Sequence, residues 1–229
     1  MKKILFWDFQ GTLSYNDWMF SKALHTVLIN NEPDSKIGMD KFKATPMIGF
    51  PWQDHEREYL HLTKSEDWWK HAEDIFIKCY SSLGLQREAA LQYAKEVRAY
   101  FLKGDDFILY DDTVETLKYF KDKGYENIIL SNHIPELPEI VEQLGLSLYV
   151  SDCLSSANIG YEKPNPKILH YALEKYNYPE DVWMIGDSIT ADVMGAKAVG
   201  MKGILVRADN GHSVEYYSKD LRGVTKIIT

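Results

Sequence analysis

The sequence predicts an α/β chain, a mostly parallel sheet with helices on both faces, to which a helical cap is added. Three observations predict it. From residue 111 to 206 helical segments alternate with short apolar runs, which is the βαβ signature. One further apolar run, residues 3–8, stands alone at the N-terminus. Helical periodicity fills residues 14–105 between the two. The simplest account is a discontinuous Rossmann-like core, residues 1–13 and 106–229, with a helical cap at 14–105.

In chain order, residues 3–8 read as a buried strand that ends in an acid and then Gly11-Thr12. In the stretch 17–30, Trp18, Ala23, Leu24, Val27 and Leu28 recur at helical spacing, and two more helices are expected over 66–83 and 86–102, divided by Gly84. No strand is expected between residues 14 and 105. Beyond it the prediction is helix 113–123, strand 126–131, helix 135–144, strand 148–150, helix 165–176, strand 182–186, helix 190–199 and strand 203–206. Gly124, Gly145 and Gly200 each stand where a helix should stop.

A chain of 229 residues with 45% hydrophobic and 26% charged residues has the composition of a folded, soluble protein. The net charge of −8 gives no positive field for a phosphate backbone, so nucleic acid is not an expected partner. Cys79 and Cys153 make neither a CxxC pair nor a disulfide framework, which suits a reducing compartment. Asp8 interrupts the first apolar run too early for a secretory leader, and no run approaches the roughly 20 apolar residues of a membrane span. A cytoplasmic protein with no membrane partner is expected.

Functional groups of an open parallel sheet collect where strands end and loops leave. Asp8, Gly11 and Thr12 follow the first strand, Ser131 and Asn132 the second, Lys163 the third, and Asp187 and Asp192 the fourth. A carboxylate such as Asp8 can take a phosphoryl group as an acyl phosphate. To approach an anionic phosphate it needs a divalent cation and fixed donors. Asp8 and Asp187 supply hard oxygen ligands suited to Mg²⁺, while Lys163 and Ser131 can hold phosphate oxygens, with Gly11, Thr12 and Asn132 as further expected substrate contacts.

These residues resemble the four motifs of the haloacid dehalogenase superfamily. The first is Asp8-Phe9-Gln10-Gly11-Thr12-Leu13 and the second ends at Ser131. The third is Lys163-Pro164, and the fourth runs Gly186-Asp187-Ser188-Ile189-Thr190-Ala191-Asp192. The resemblance implies a hydrolase with Asp8 as nucleophile, Ser131 and Lys163 on the transferring group, Asp187 on Mg²⁺, and Asp192 supporting the metal waters or Lys163. It also implies that the residue at Gln10 gives its backbone carbonyl to the metal, and that the cap closes over a small phosphorylated metabolite.

Gln10 departs from the pattern. In the family's phosphatases this position is a second aspartate, the general acid and base. An amide has no titratable proton, and such assistance is worth about 10² to 10⁴ in rate. Substrates with good leaving groups, such as acyl and aryl phosphates, are therefore expected to react better than alkyl phosphates. Dehalogenase and phosphonatase chemistry and a catalytically silent phosphate-binding protein stay open as alternatives; the phosphonatase reading would use a cap lysine such as Lys22. Trp18, Trp68 and Trp69 are expected mostly as packing anchors and Trp52 at the cleft. His133, two residues after Ser131, is a candidate substrate contact. His25, His55, His61 and His71 show no metal spacing.

Overall fold

A computed structural model describes residues 2–103, 106–208 and 213–228 of the chain. The first strand, β1 (Lys3–Trp7), shows why an uninterrupted apolar run is needed here. Leu5 and Trp7 point into one hydrophobic cluster and Ile4 and Phe6 into another, so both faces of the strand are covered.

The chain then passes through β2 (Ser14–Tyr15), α1 (Met19–Asn31), α2 (Met39–Ala44), α3 (Ser65–Ser82) and α4 (Arg87–Phe101) before β3 (Ile108–Leu109). Alternation follows: α5 (Thr113–Asp122), β4 (Tyr125–Ser131), α6 (Leu137–Gln143), β5 (Asp152–Ser155), α7 (Ser156–Ile159), α8 (Pro166–Lys175) and β6 (Asp181–Gly186). A π-helical turn, Ile189–Met194, runs into α9 (Gly195–Ala198). The last elements are β7 (Lys202–Val206), β8 (Tyr216–Ser218) and α10 (Leu221–Ile227).

Six strands form one sheet in the order β5-β4-β1-β6-β7-β8, every neighbouring pair parallel. This is the expected α/β, Rossmann-like architecture. Strand order reverses at β1, which lies between β4 and β6, and a cleft opens at the carboxyl end of such a switch point. One face of the sheet is covered by α8, through Ile168, Leu169, Ala172 and Leu173. On the other face the apolar cluster runs without a break from Leu5 and Trp7 through Phe9 and Phe107 to Phe101, Trp69, Phe76 and Phe20 in α1, α3 and α4.

Four details differ from the sequence expectation. The strand expected at 148–150 is a 3₁₀ turn, Leu146–Leu148, followed by a strand at Asp152–Ser155. Leu148 is exposed, so the apolar run there does not pack as a strand, whereas Cys153 and Leu154 pair with Ile129 and Leu130. A strand does occur inside 14–105: β2 pairs antiparallel with β3, a ribbon too short to show a period of two. The helix expected at 190–199 begins as the π turn, because Asp192 and Val193 both donate to the Ser188 carbonyl. Trp18 is not a core residue; it is 55% exposed in a left-handed conformation ahead of α1, beneath the Lys43 ammonium. Trp68 and Trp69 are buried as expected. Of the expected boundary at 105 and 106, residue 105 lies outside the described residues.

A buried polar knot ties the helical stretch to the sheet. The Glu136 carboxylate, just before α6, accepts from the Trp69 indole at 2.8 Å and from Arg98 at 2.8 Å. Arg98 also donates to the Ser65 hydroxyl. Elements α3 and α4 thus share one acid with the α/β layer, and no described helix is long and apolar enough to cross a membrane.

Candidate active site

The carboxyl ends of β1, β4 and β6 and the loop after α7 meet over one cavity of about 350 Å³, lined by Asp8, Gln10, Ser131, Asn132, His133, Lys163, Asp187 and Asp192. Met19 and Trp52 form its apolar wall. The sequence-predicted residues therefore converge, with two exceptions. Gly11 and Thr12 do not line the cavity and act on Asp187 from behind. The Thr12 hydroxyl donates to Asp187 Oδ1 at 3.4 Å. A Cβ on Gly11, which has φ +87°, would stand 2.5 Å from Asp187 Oδ2. Only glycine allows that backbone to approach so closely.

Asp8 is buried at the end of β1, where its N–H continues the pairing with the Ile185 carbonyl. Its Oδ1 accepts from the Ser131 hydroxyl at 2.9 Å and from the Lys163 ammonium at 2.8 Å. The same ammonium donates to Asp192 Oδ1 at 2.6 Å. The other oxygen of Asp192 accepts from the Ser188 backbone N–H at 3.0 Å. The π turn is what brings Asp192 back over the end of β6. It does so against Gly186, where any Cβ would overlap the Asp192 carboxylate at 2.0 Å.

Asn132 braces the neighbouring loop. Its amide oxygen accepts from the Lys163 backbone N–H at 2.7 Å and its NH₂ donates to the Lys163 carbonyl at 2.8 Å. This reciprocal pair holds the Lys163 loop on the end of β4, while Asn132, for which substrate contact is the sequence expectation, also lines the cavity. Its signal was an amide side chain beside Ser131, equally consistent with either use. Met19 gave no signal at all.

The charge balance is unequal. Carboxylate oxygens of Asp8, Asp187 and Asp192 lie within 4.8 Å of one another, and the cavity has one ammonium to offset them. Burial, then the Asp8 and Asp192 charges, push the Asp187 carboxyl up to about 7. Burial raises Asp192 to about 6 against the pull of Lys163. Burial alone would depress Lys163, but Asp192 and Asp8 outweigh it and hold the ammonium above its ordinary range. A cluster of hard oxygens with surplus negative charge fits a divalent cation such as Mg²⁺.

Gln10 reaches the cavity with its NH₂ 3.4 Å from the Asn16 carbonyl, while its buried Oε1 has no protein partner. Lys22 does not line the cavity. It is ion-paired with Asp106, whose hydrogen bond raises its pKa, the opposite of what an amine nucleophile requires. The Glu162 carboxyl, next to Lys163, is buried and held up to about 7 by that burial.

A family model described as haloacid dehalogenase-like hydrolase matches residues 2–200. Phosphoglycolate phosphatase of Vibrio vulnificus is 27% identical over 190 residues, covering 77% of this chain and 78% of the relative. The haloacid dehalogenase-like hydrolase domain-containing protein 3 of Bos taurus is 29% identical over 148 residues. That match covers 64% of this chain and spans 58% of the bovine protein. The solved structure of the HAD-hydrolase YfnB from Bacillus subtilis superposes with a TM-score of 0.72 at 18% identity, covering 99% of this chain and 98% of that one. Sheet order, the four strand-end loops and the match over most of the chain agree: this protein belongs to the haloacid dehalogenase-like hydrolases.

Proposed function

We propose that the chain is a Mg²⁺-dependent phosphatase that acts on a small phosphorylated molecule through an aspartyl phosphate on Asp8. The observation that carries this reading is the single Lys163 ammonium shared between Asp8 and Asp192, with Asp187 in the same group of carboxylates. The phosphatase name of the Vibrio relative supports it.

Ser131 and Lys163 both meet Oδ1 of Asp8, so the other carboxylate oxygen is the attacking atom. It forms a bond to phosphorus as the bond to the leaving oxygen breaks, and the electron pair departs with that oxygen. Water then attacks phosphorus as the bond from phosphorus to the Asp8 oxygen breaks, freeing the carboxylate, and the water's proton passes to the departed anion or to bulk solvent. Ser131 and Lys163 steady the non-bridging oxygens through both steps. Asp8, Asp187 and Asp192, with the Gln10 backbone carbonyl, would hold the cation, which when bound offsets the repulsion between carboxylate and phosphate. Gln10 can orient a group by hydrogen bonding but neither protonates the leaving oxygen nor deprotonates water. Esters with stable leaving anions are the expected substrates. Residues 1–13 and 106–229 serve as the catalytic core and 14–105 as the cap.

Mass spectrometry after mixing with acetyl phosphate and Mg²⁺ tests the reading. A phosphoryl adduct on Asp8 that is absent in Asp8→Asn and after chelation of Mg²⁺ is the expected result. An unmodified Asp8 under every condition overturns it. Halide release from a haloacid without metal would establish a dehalogenase instead. Phosphate affinity with neither adduct nor turnover would establish a binding protein.

A further inference from the structure

One more strand ends at the edge of the sheet where the cavity lies. Gly186 of β6 pairs with Leu205 of β7, so these parallel neighbours release Asp187 and Arg207 on the same side. Arg207 does not line the cavity. Its backbone sits at φ +60°, a left-handed conformation that non-glycine residues seldom adopt and that collects at functional sites. The guanidinium lies over the Tyr110 ring, 3.7 Å from the centroid, and divides its donors between two acceptors. A terminal NH₂ donates to Asp112 Oδ1, whose partner oxygen accepts from the Leu221 N–H at 2.8 Å. The Nε–H donates to the Thr12 backbone carbonyl at 2.9 Å.

Thr12 is where that second contact meets the site. Among the described residues its hydroxyl makes the one side-chain hydrogen bond to the Asp187 carboxylate, at Oδ1, while Gly11 lies close against Oδ2. The next carbonyl, of Leu13, is held twice, by the Thr113 hydroxyl at 2.6 Å and the Tyr110 N–H at 3.2 Å. The Thr12 carbonyl has Arg207 alone among the described residues. We infer that Arg207 is a positioning residue for the proposed metal ligand Asp187: its Nε bond to Thr12, rather than its charge, fixes the loop that aims this carboxylate at a divalent cation. The inference rests on the metal-dependent reading above.

Two substitutions separate the donor from the charge. Arg207→Gln puts an amide nitrogen where Nε stood and brings no charge to Asp112. Arg207→Lys brings a charge to Asp112 and puts a methylene opposite the Thr12 carbonyl. Mn²⁺, a hard cation in place of Mg²⁺, is titrated into the full chain and read by electron paramagnetic resonance, with Asp187→Asn as the blank. Arg207→Lys should weaken Mn²⁺ binding about tenfold, the low end of what an outer partner of a metal ligand is worth, while its urea midpoint stays close to that of the wild type. Arg207→Gln should bind Mn²⁺ as the wild type does and unfold at lower urea, because Asp112 loses its charged partner. Thr12→Val should weaken binding as much as Arg207→Lys, and the double variant no further. Affinity unchanged in Arg207→Lys, affinity that tracks the urea midpoint across the variants, or effects that multiply in the double variant overturn the inference. A wild type that binds Mn²⁺ yet forms no adduct on Asp8 overturns the phosphatase reading alone, and one that binds no Mn²⁺ overturns both.

Discussion

Asn132 illustrates how one side chain decides where another can work. Its two hydrogen bonds to the Lys163 backbone set the height from which the ammonium reaches Asp8 and Asp192. Asn132→Ala removes both and leaves a partly buried N–H and carbonyl to find water, a cost of about 1–3 kcal/mol. Thermal melts should record that loss, and kcat/KM should fall about tenfold or more as Lys163 drifts. Gln10 is the other residue whose chemistry is separable from the fold. Gln10→Asp supplies a titratable group at the cavity, and turnover of an alkyl phosphate should rise by about 10². No gain in a steady-state assay would place the missing proton elsewhere. Glu162 gives a prediction on pH. Its folded pKa of about 7 lies above the ordinary 4.5, so its contribution to stability is full below about 4.5 and is lost as pH rises through 7. Glu162→Gln mimics the protonated form. It should match the wild type in urea melts at pH 4 and exceed it at pH 8, by something on the order of 3 kcal/mol.

Among the elements, those with strong patterns were the ones legible in the sequence. In β1 the apolar run is continuous because both faces are covered, and α3, α4 and α8 carry clear helical stripes. The Leu148-Tyr149-Val150 run misled because a β-prone tripeptide following Gly145 packs as a tight turn, leaving the paired strand to the more polar Asp152–Ser155. The π turn is unreadable for a different reason: its geometry comes from the Asp192 and Val193 N–H groups sharing the Ser188 carbonyl while Ser188 N–H donates to the Asp192 carboxylate, which no periodicity encodes. Strand-end residues Asp8, Ser131, Lys163 and Asp187 were legible because their chemistry is unusual there. The staple at Asn132 and the Met19 wall depend on contacts between distant segments. The Glu136 knot is of that kind too. Glu136→Ala strands the buried Trp69 N–H between α3, α4 and α6, while the partly exposed Arg98 turns to solvent, and a loss of about 1–3 kcal/mol is expected in chemical denaturation.

For the molecule as a whole, the unbroken apolar cluster that joins α1, α3 and α4 to one sheet face predicts a single cooperative unfolding transition, with near-UV and far-UV circular dichroism coinciding. Two separated transitions would mean that the helical stretch holds together on its own. Strand order adds a second whole-chain property, since the reversal at β1 draws the groups of the cavity from segments spread between residues 8 and 192. The Lys163 side chain is 1% exposed beneath them. Its amine is therefore beyond the reach of acylating reagents in the native state, and labelling at this one position should proceed only as fast as the loops come apart. Tryptic mapping of a timed acetic anhydride reaction would turn that lysine into a clock for opening, wound by the same contacts that place the nucleophile.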